Sequence, residues 1–114
     1  MVFNVRTEQG NIIFEVEGEI SIYNIVKLKE AVELVREKGA TRLVFDLSRV
    51  EYVDSTAIKF FLTLTKELAS QQGGLALAGA NKEIQETFRI TRVDKFLSLF
   101  GDVPLALTGT MATT

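Results

Sequence analysis

The architecture of this chain is read most directly from residues 43–56, which run LVFDLSRVEYVDST. Leu43–Phe45 is a short, continuous apolar run, which is typical of a strand that is covered on both faces. Asp54, Ser55 and Thr56 then precede a long segment of helical period, and these residue types favour the start of a helix. The stretch therefore predicts a buried strand, a loop and the beginning of a helix.

Upstream, two segments alternate apolar and polar side chains, which is the period of a half-buried strand. They are Val2–Thr7 and Asn11–Glu17, and Gly18 follows the second of them. The residues between them, Gln9 and Gly10 with Asn11, have the composition of a turn, so we expect an antiparallel hairpin.

Between this hairpin and the buried strand, the apolar period becomes helical from about Ile22 to Lys38. Asn24 or Ser21 is expected to cap the start of the helix. Gly39 directly follows its last residue, as expected where a helix ends.

Downstream, the helix that begins at Ser55 is expected to run to Ser70, before the sequence QGG at residues 72–74 ends it. Apolar period and capping residues assign the remaining elements in the same way. They are a buried strand at Leu75–Ala78, a third helix capped by Asn81, a short helical turn at Val93–Leu97, and a last strand at Val103–Leu107.

The predicted order is β-β-α-β-α-β-α-β, an α/β fold with a mixed sheet of about four to five strands packed against helices. We expect one domain over residues 1–114, with its core at about 2–107 and a frayed tail at 108–114. The chain contains no repeat, linker or low-complexity segment that would divide it.

The composition excludes several classes of function. The chain has 114 residues, a formal net charge of -2, and neither histidine nor cysteine. A Ser-His-Asp triad and a thiol nucleophile are therefore excluded, and the commonest ligands of zinc are missing. The net negative charge argues against nucleic-acid binding, and no stretch resembles a signal peptide or is long enough to span a membrane. We expect a cytoplasmic protein that is not an enzyme and needs neither cofactor nor metal.

Three features together resemble the STAS domain family, and in particular its stand-alone anti-sigma factor antagonists. The first is residues 43–56, in which a strand ends in Asp46-Leu47 and a loop leads to Asp-Ser-Thr at the start of a helix. The others are Gly18–Ile20 after the second strand and Phe88–Leu97 near the end. The resemblance covers about Val2 to Leu107.

This resemblance implies a function. Members of this kind bind an anti-sigma factor and thereby release a sigma factor. The anti-sigma factor is often a kinase that phosphorylates the serine after the aspartate and so ends the complex, and a phosphatase resets the switch. The corresponding serine here is Ser55. The partner-binding residues that follow from the resemblance are Asp54, Ser55, Thr56, Ala57, Lys59, Ser21 and Glu19.

Physical chemistry suits Ser55 to this role, because the first N–H groups of a helix lack helical partners and carry partial positive charge. A phosphate is tolerated there by the protein that carries it. The simpler interpretation is that Asp54, Ser55 and Thr56 only cap the helix. Phe60 and Leu64, which lie on a flank of the same helix, belong either to the core or to a partner-facing patch.

Three departures from the family pattern keep alternatives open. Ala57 stands where the family often has glycine, and Ser21 where many members have aspartate. Many members also end in a further helix, for which Leu105–Met111 is a shortened candidate. The alternative function is a STAS module that is not phosphorylated and that binds a protein or a nucleotide.

A third hypothesis is an enzyme that uses Ser55 and Lys59, one helical turn apart, as a nucleophile and its base. Spacing of four residues on a helix often brings unrelated groups together. The sequence also has no glycine-rich phosphate loop. We therefore rank this hypothesis below both binding functions.

Overall fold

The computed structural model describes the backbone of residues 1–112 and the side-chain surroundings of residues 1–109. The strands of this part are β1 (Val2–Glu8), β2 (Asn11–Ile20), β3 (Arg42–Val53), β4 (Gly74–Ala78) and β5 (Ser98–Phe100). They form one sheet in the order β1-β2-β3-β4-β5, in which β1 is antiparallel to β2 and the other neighbours are parallel. The helices are α1 (Ile25–Glu37), α2 (Ser55–Ser70), α3 (Lys82–Ile90) and α4 (Val103–Ala112), with a 3-10 turn at Val93–Lys95. The predicted α/β class and mixed sheet are confirmed.

The hairpin is confirmed and closes through a two-residue turn. Glu8 lies opposite Asn11, and the backbones of Gln9 and Gly10 have φ angles of 53° and 78°. Two positive φ angles are typical of the type I′ turn, whose twist matches that of the strands it joins. Strand β2 continues beyond the predicted Glu17 to Ile20, because its parallel pairing with β3 extends to Val53 across two bulges.

The sheet buries side chains on both faces, as the apolar run Leu43–Phe45 indicated. On one face, Phe45 stacks on Phe14 at 4.9 Å between ring centroids and meets the edge of Phe61 at 5.5 Å. Helices α1, α2 and α3 cover this face. On the other face a smaller cluster packs α4 against the sheet, and it comprises Ile13, Val44, Ala76, Ala78, Val103, Ala106 and Leu107.

The predicted last strand at Val103–Leu107 is wrong, because these residues begin helix α4. Asp102 caps the helix, and its Oδ1 accepts a hydrogen bond from the Leu105 N–H at 2.9 Å. Pro104 lies in the first turn, where a missing N–H costs nothing. The fifth strand is instead Ser98–Phe100, and the expected tail is helical as far as Ala112, with residues 113 and 114 outside the described part. The candidate final helix at Leu105–Met111 is therefore the better of the two sequence interpretations.

The start of α1 also differs from the prediction. Asn24 occupies the N-cap position, but its side chain makes no capping hydrogen bond to the helix. Its Oδ1 instead accepts from the Ser21 N–H at 2.9 Å, and its Nδ2 donates to the Glu19 carbonyl at 3.0 Å. The Ser21 carbonyl accepts from the Ile25 N–H at 2.9 Å and so connects the turn to the helix. Asn24 therefore stabilises the β2–α1 turn.

Helices α1 and α2 end in the same way but with different residues in the left-handed conformation. Gly39, with φ of 98°, follows α1, and the Ala40 N–H donates to the Val35 carbonyl at 3.0 Å. After α2 the left-handed residue is Gln72, with φ of 62°, and the Gly73 N–H donates to the Leu68 carbonyl at 2.8 Å. Gly73 is needed for close approach, since a Cβ there would lie 1.9 Å from the Thr41 carbonyl oxygen.

Replacing Gln72 with glycine is expected to stabilise the protein by about 0.5–1 kcal/mol, because glycine adopts positive φ without the steric cost that a Cβ incurs. Urea unfolding of the two proteins measures the difference. Gly73→Ala is the matched control at the adjacent residue, and it is expected to destabilise the protein. A Gln72→Gly protein that is no more stable than the wild type would contradict the assignment of strain to Gln72.

Candidate functional site

Asp54 fastens the start of α2 to the β2–α1 turn. Its Oδ1 accepts from the Ala57 N–H at 3.0 Å, which is a helix N-cap. Its Oδ2 accepts from the Ile22 N–H at 3.0 Å, and its own N–H donates to the Ile20 carbonyl at 3.2 Å. One carboxylate therefore holds two segments that are 32 residues apart in sequence. The capping role was predicted, whereas the link to the turn was not.

Ser55 is the first residue of α2 and is exposed to solvent. Its hydroxyl makes no hydrogen bond to any residue within the described range 1–112, so it is free to react or to contact a partner. Lys59 is also exposed, whereas Thr56 is half-buried. Ala57 is fully buried, so its methyl group contributes to the core and not to the surface.

Ser21 in the β2–α1 turn and Glu19 near the end of β2 were both predicted, and they have different surroundings. Ser21 is 3% exposed, and its Oγ accepts from the Tyr23 N–H at 3.3 Å. The hydroxyl also lies 3.4 Å from Glu19 Oε1. Glu19 itself is exposed. Ser21 therefore shapes the turn from inside, while Glu19 presents negative charge at the surface.

An exposed apolar patch lies beside Asp54, which directly precedes Ser55 and whose Oδ2 accepts from the Ile22 N–H. We call it the turn patch, and it consists of Ile22, Tyr23 and Val26. These side chains are 60%, 91% and 61% exposed. These residues were not identified from the sequence as a surface patch. The signal was present, because all three fall outside the buried stripe of α1, which consists of Ile25, Leu28 and Val32. Exposed apolar side chains that cluster beside polar ones are typical of a protein-binding surface.

The apolar flank of α2 belongs to the core. Leu64 is 2% exposed, and Phe60 is partly buried with its ring edge-on to Phe45 at 6.2 Å. Both side chains line a groove of about 360 Å³ between α1 and α2. Of the two interpretations that the sequence left open, the structure supports core packing.

The described residues hold neither a metal-binding cluster nor a paired nucleophile at this site. Within residues 1–112, no group of three or more Asp and Glu side chains is arranged to hold a metal ion. Ser55 and Lys59 make no hydrogen bond to each other in the described part of the chain. Over the same residues, no helix has both the length and the apolar character that crossing a bilayer requires.

Replacing Asp54 with alanine is expected to cost about 1–3 kcal/mol of stability, because it removes a helix cap and leaves the Ile22 N–H without its acceptor. Urea unfolding measures the loss. Asp54→Asn keeps one acceptor oxygen and is expected to lose less. Equal stability of the alanine variant and the wild type would show that Asp54 does not hold these segments together.

Comparison with known proteins agrees with this fold. The STAS domain matches the chain over residues 2–106. The anti-sigma-B factor antagonist of Listeria monocytogenes is 34% identical over 84 residues, which are 74% of each chain. An anti-sigma factor antagonist from Mycobacterium paratuberculosis has the same fold, with a TM-score of 0.87, 24% identity and coverage of 96% of this chain and 93% of that one. The Bacillus protein SpoIIAA in its phosphorylated form is similar with a TM-score of 0.67 and 15% identity, over 86% of this chain and 90% of that one. The chain belongs to the STAS domain family.

Proposed function

We propose that this protein is an anti-sigma factor antagonist, which binds an anti-sigma factor and is released from it when Ser55 is phosphorylated. The observation that carries the proposal is an exposed serine at the start of α2, beside the exposed turn patch, in a chain of this family. The Listeria relative bears the name of such an antagonist. The role is a binding role, and we propose that it is exercised in the cytoplasm.

The surroundings of Ser55 support a phosphorylation switch. The hydroxyl is accessible to a kinase, and the N-terminus of α2 stabilises a negative charge on the residue that carries it. A partner that docks here must instead accommodate about -1.5 to -2 new charges next to Asp54 and Glu19. Modification therefore leaves the fold intact and weakens the complex. A similar structure has been solved in a phosphorylated form, and the name of that protein is SpoIIAA.

The turn patch supplies the apolar half of the proposed surface. Apolar anchors, aromatic ones above all, contribute much of the binding energy of protein interfaces, and a polar rim surrounds them. Tyr23 and Ile22 fit the first description, and Ser55, Lys59 and Glu19 fit the second. Of the predicted partner-binding residues, Ser21 and Ala57 are buried and Thr56 is half-buried, so their exposed neighbours form most of the proposed surface.

A second candidate is a STAS module that binds its partner without being phosphorylated. The departures from the family pattern at Ala57 and Ser21 favour it, because the family often has glycine and aspartate at these two positions. A nucleotide found with the purified protein would favour the ligand-binding form of this candidate.

The test is incubation of the protein with ATP and each candidate anti-sigma kinase from the same genome, followed by mass spectrometry. We expect a single phosphate on Ser55, its absence from Ser55→Ala, and its removal by a phosphatase from that genome. Thr56→Ala is the matched control and is expected to be phosphorylated normally. Tight binding to a kinase without any phosphate would support the second candidate, and no binding to any of them would reject both.

A further inference from the structure

Strand β1 is an outer strand of the sheet, and among residues 1–112 it pairs with β2 alone. It is seven residues long, and its register with β2 runs without a bulge from Val2 to Glu8. The opposite outer strand, β5, has only three residues. Natural sheets protect their edges by short strands, prolines, bulges or charged side chains. Strand β5 is protected because it is short. Strand β1 is long and has neither a proline nor a bulge.

The charges on β1 are already neutralised within the chain. Arg6 pairs with Glu8 at 2.5 Å and with Glu15 at 3.2 Å, and these contacts raise its pKa. Val2 and Val5 on the same strand are 64% and 44% exposed. The edge is therefore long, regular, apolar in part, and without an unpaired charge to repel another strand.

The hairpin determines which backbone groups point outward. Glu8 and Asn11 flank a two-residue turn and so form a hydrogen-bonded pair. Because hydrogen bonding alternates along an antiparallel ladder, the N–H and C=O groups of Phe3, Val5 and Thr7 face away from β2. A second strand could pair with these three residues and leave the existing sheet unchanged.

We propose that β1 is a dimerisation edge, which pairs antiparallel with β1 of a second copy of this chain about a two-fold axis at Val5. This register pairs all seven residues, since Val5 is the midpoint of Val2–Glu8. It places Phe3 opposite Thr7 of the other copy, Asn4 opposite Arg6, and Val2 opposite Glu8. No like charges lie directly opposite, whereas a shift of the axis to Arg6 would oppose two arginines.

In this register, apolar side chains of the two copies also meet at the axis. Phe3 packs into the core layer beside Phe14, with ring centroids 6.2 Å apart, and Val5 points to the same face because side chains alternate along a strand. The two copies of Val5 would then meet at the axis and cover each other. The contact is smaller than the roughly 800 Å² per partner of a standard interface, so the dimer is a weak and concentration-dependent one.

The chain contains no cysteine, so single introduced cysteines test the register directly. In a hydrogen-bonded antiparallel pair the Cα atoms are about 5.5 Å apart, which a disulfide can bridge. We expect Val5→Cys to cross-link across the axis under mild oxidation. Asn4→Cys is the matched control on the same strand, since its two copies would lie on a diagonal at about 7–8 Å and would not be bridged.

Sedimentation equilibrium of the cysteine-free protein provides the second measurement. We expect the average mass to rise toward the dimer with concentration, and Val5→Lys to remain monomeric because it places two ammonium groups at the axis. Circular dichroism of Val5→Lys establishes that the variant is folded. Equal cross-linking of Val5→Cys and Asn4→Cys, or a wild type that is monomeric at every concentration, would overturn the proposal. Neither result bears on Ser55, because the two experiments need no anti-sigma factor.

Discussion

Ser55→Asp is expected to weaken the complex with the anti-sigma partner by about 30-fold to several thousand-fold, because an unmatched charge buried at an interface costs about 2–5 kcal/mol. The aspartate would stand next to Asp54, whose carboxylate is fully engaged by the Ala57 and Ile22 amides and is not available to move away. Isothermal titration calorimetry with the purified partner measures the change.

Two controls separate this effect from a general effect of charge or folding. Ser55→Ala is expected to bind nearly as well as the wild type, because it adds no charge. Thr63→Asp adds the same charge on an exposed position of the same helix, two turns from Ser55, and is also expected to bind normally. The stability of Ser55→Asp should equal or exceed that of the wild type, by about 0.3–1 kcal/mol, since a negative charge at a helix N-terminus is favourable. Unchanged binding of Ser55→Asp would support the non-phosphorylated module.

Phe45→Ala is expected to destabilise the fold by about 3–5 kcal/mol, because it removes a large side chain from a packed core and leaves a cavity. Phe45 is fully buried and contacts the rings of Phe14, Phe60 and Phe61. A loss of this size is a large part of the total of about 5–15 kcal/mol that is usual for a domain. Urea unfolding followed by circular dichroism measures it.

Tyr23→Ala is the matched control for Phe45→Ala, since it removes an aromatic ring that is 91% exposed. Its stability is expected to stay within about 0.5 kcal/mol of the wild type. The same variant should bind the anti-sigma partner more weakly, because Tyr23 belongs to the turn patch. A Phe45→Ala loss of less than about 1 kcal/mol would mean that the aromatic cluster is not the centre of the core.

The features that sequence predicted correctly depend on neighbours a few residues away. Alternation identified the hairpin, and the cap residues Asp54 and Asn81 identified the starts of α2 and α3, where their side chains accept from the Ala57 and Ile84 amides. Gly39 identified the end of α1. The position of Ser55 at a helix start follows from the same local pattern.

The wrong predictions concern segments whose local sequence is compatible with two different structures. The apolar run Val103–Leu107 fits a short strand or a helix equally well, because a run of five residues is too short for its period to be decisive. The outcome depends on the second face of the sheet, where Val44 and Ala76 need a cover and α4 provides it. Asn24 likewise has the composition of a helix cap, but the β2–α1 turn offers its side chain two other partners.

The sequence alone therefore established the α/β class, the strand and helix content around residues 43–56, and Ser55 as the first residue of a helix. Tertiary structure alone established that Asp54 also holds Ile22, that the turn patch is exposed, and that β1 has a free edge. The physical reason is the distance along the chain over which each interaction acts. Capping and alternation involve residues of one turn or one strand, whereas the contact between Asp54 and Ile22 forms only once β2 and β3 have paired.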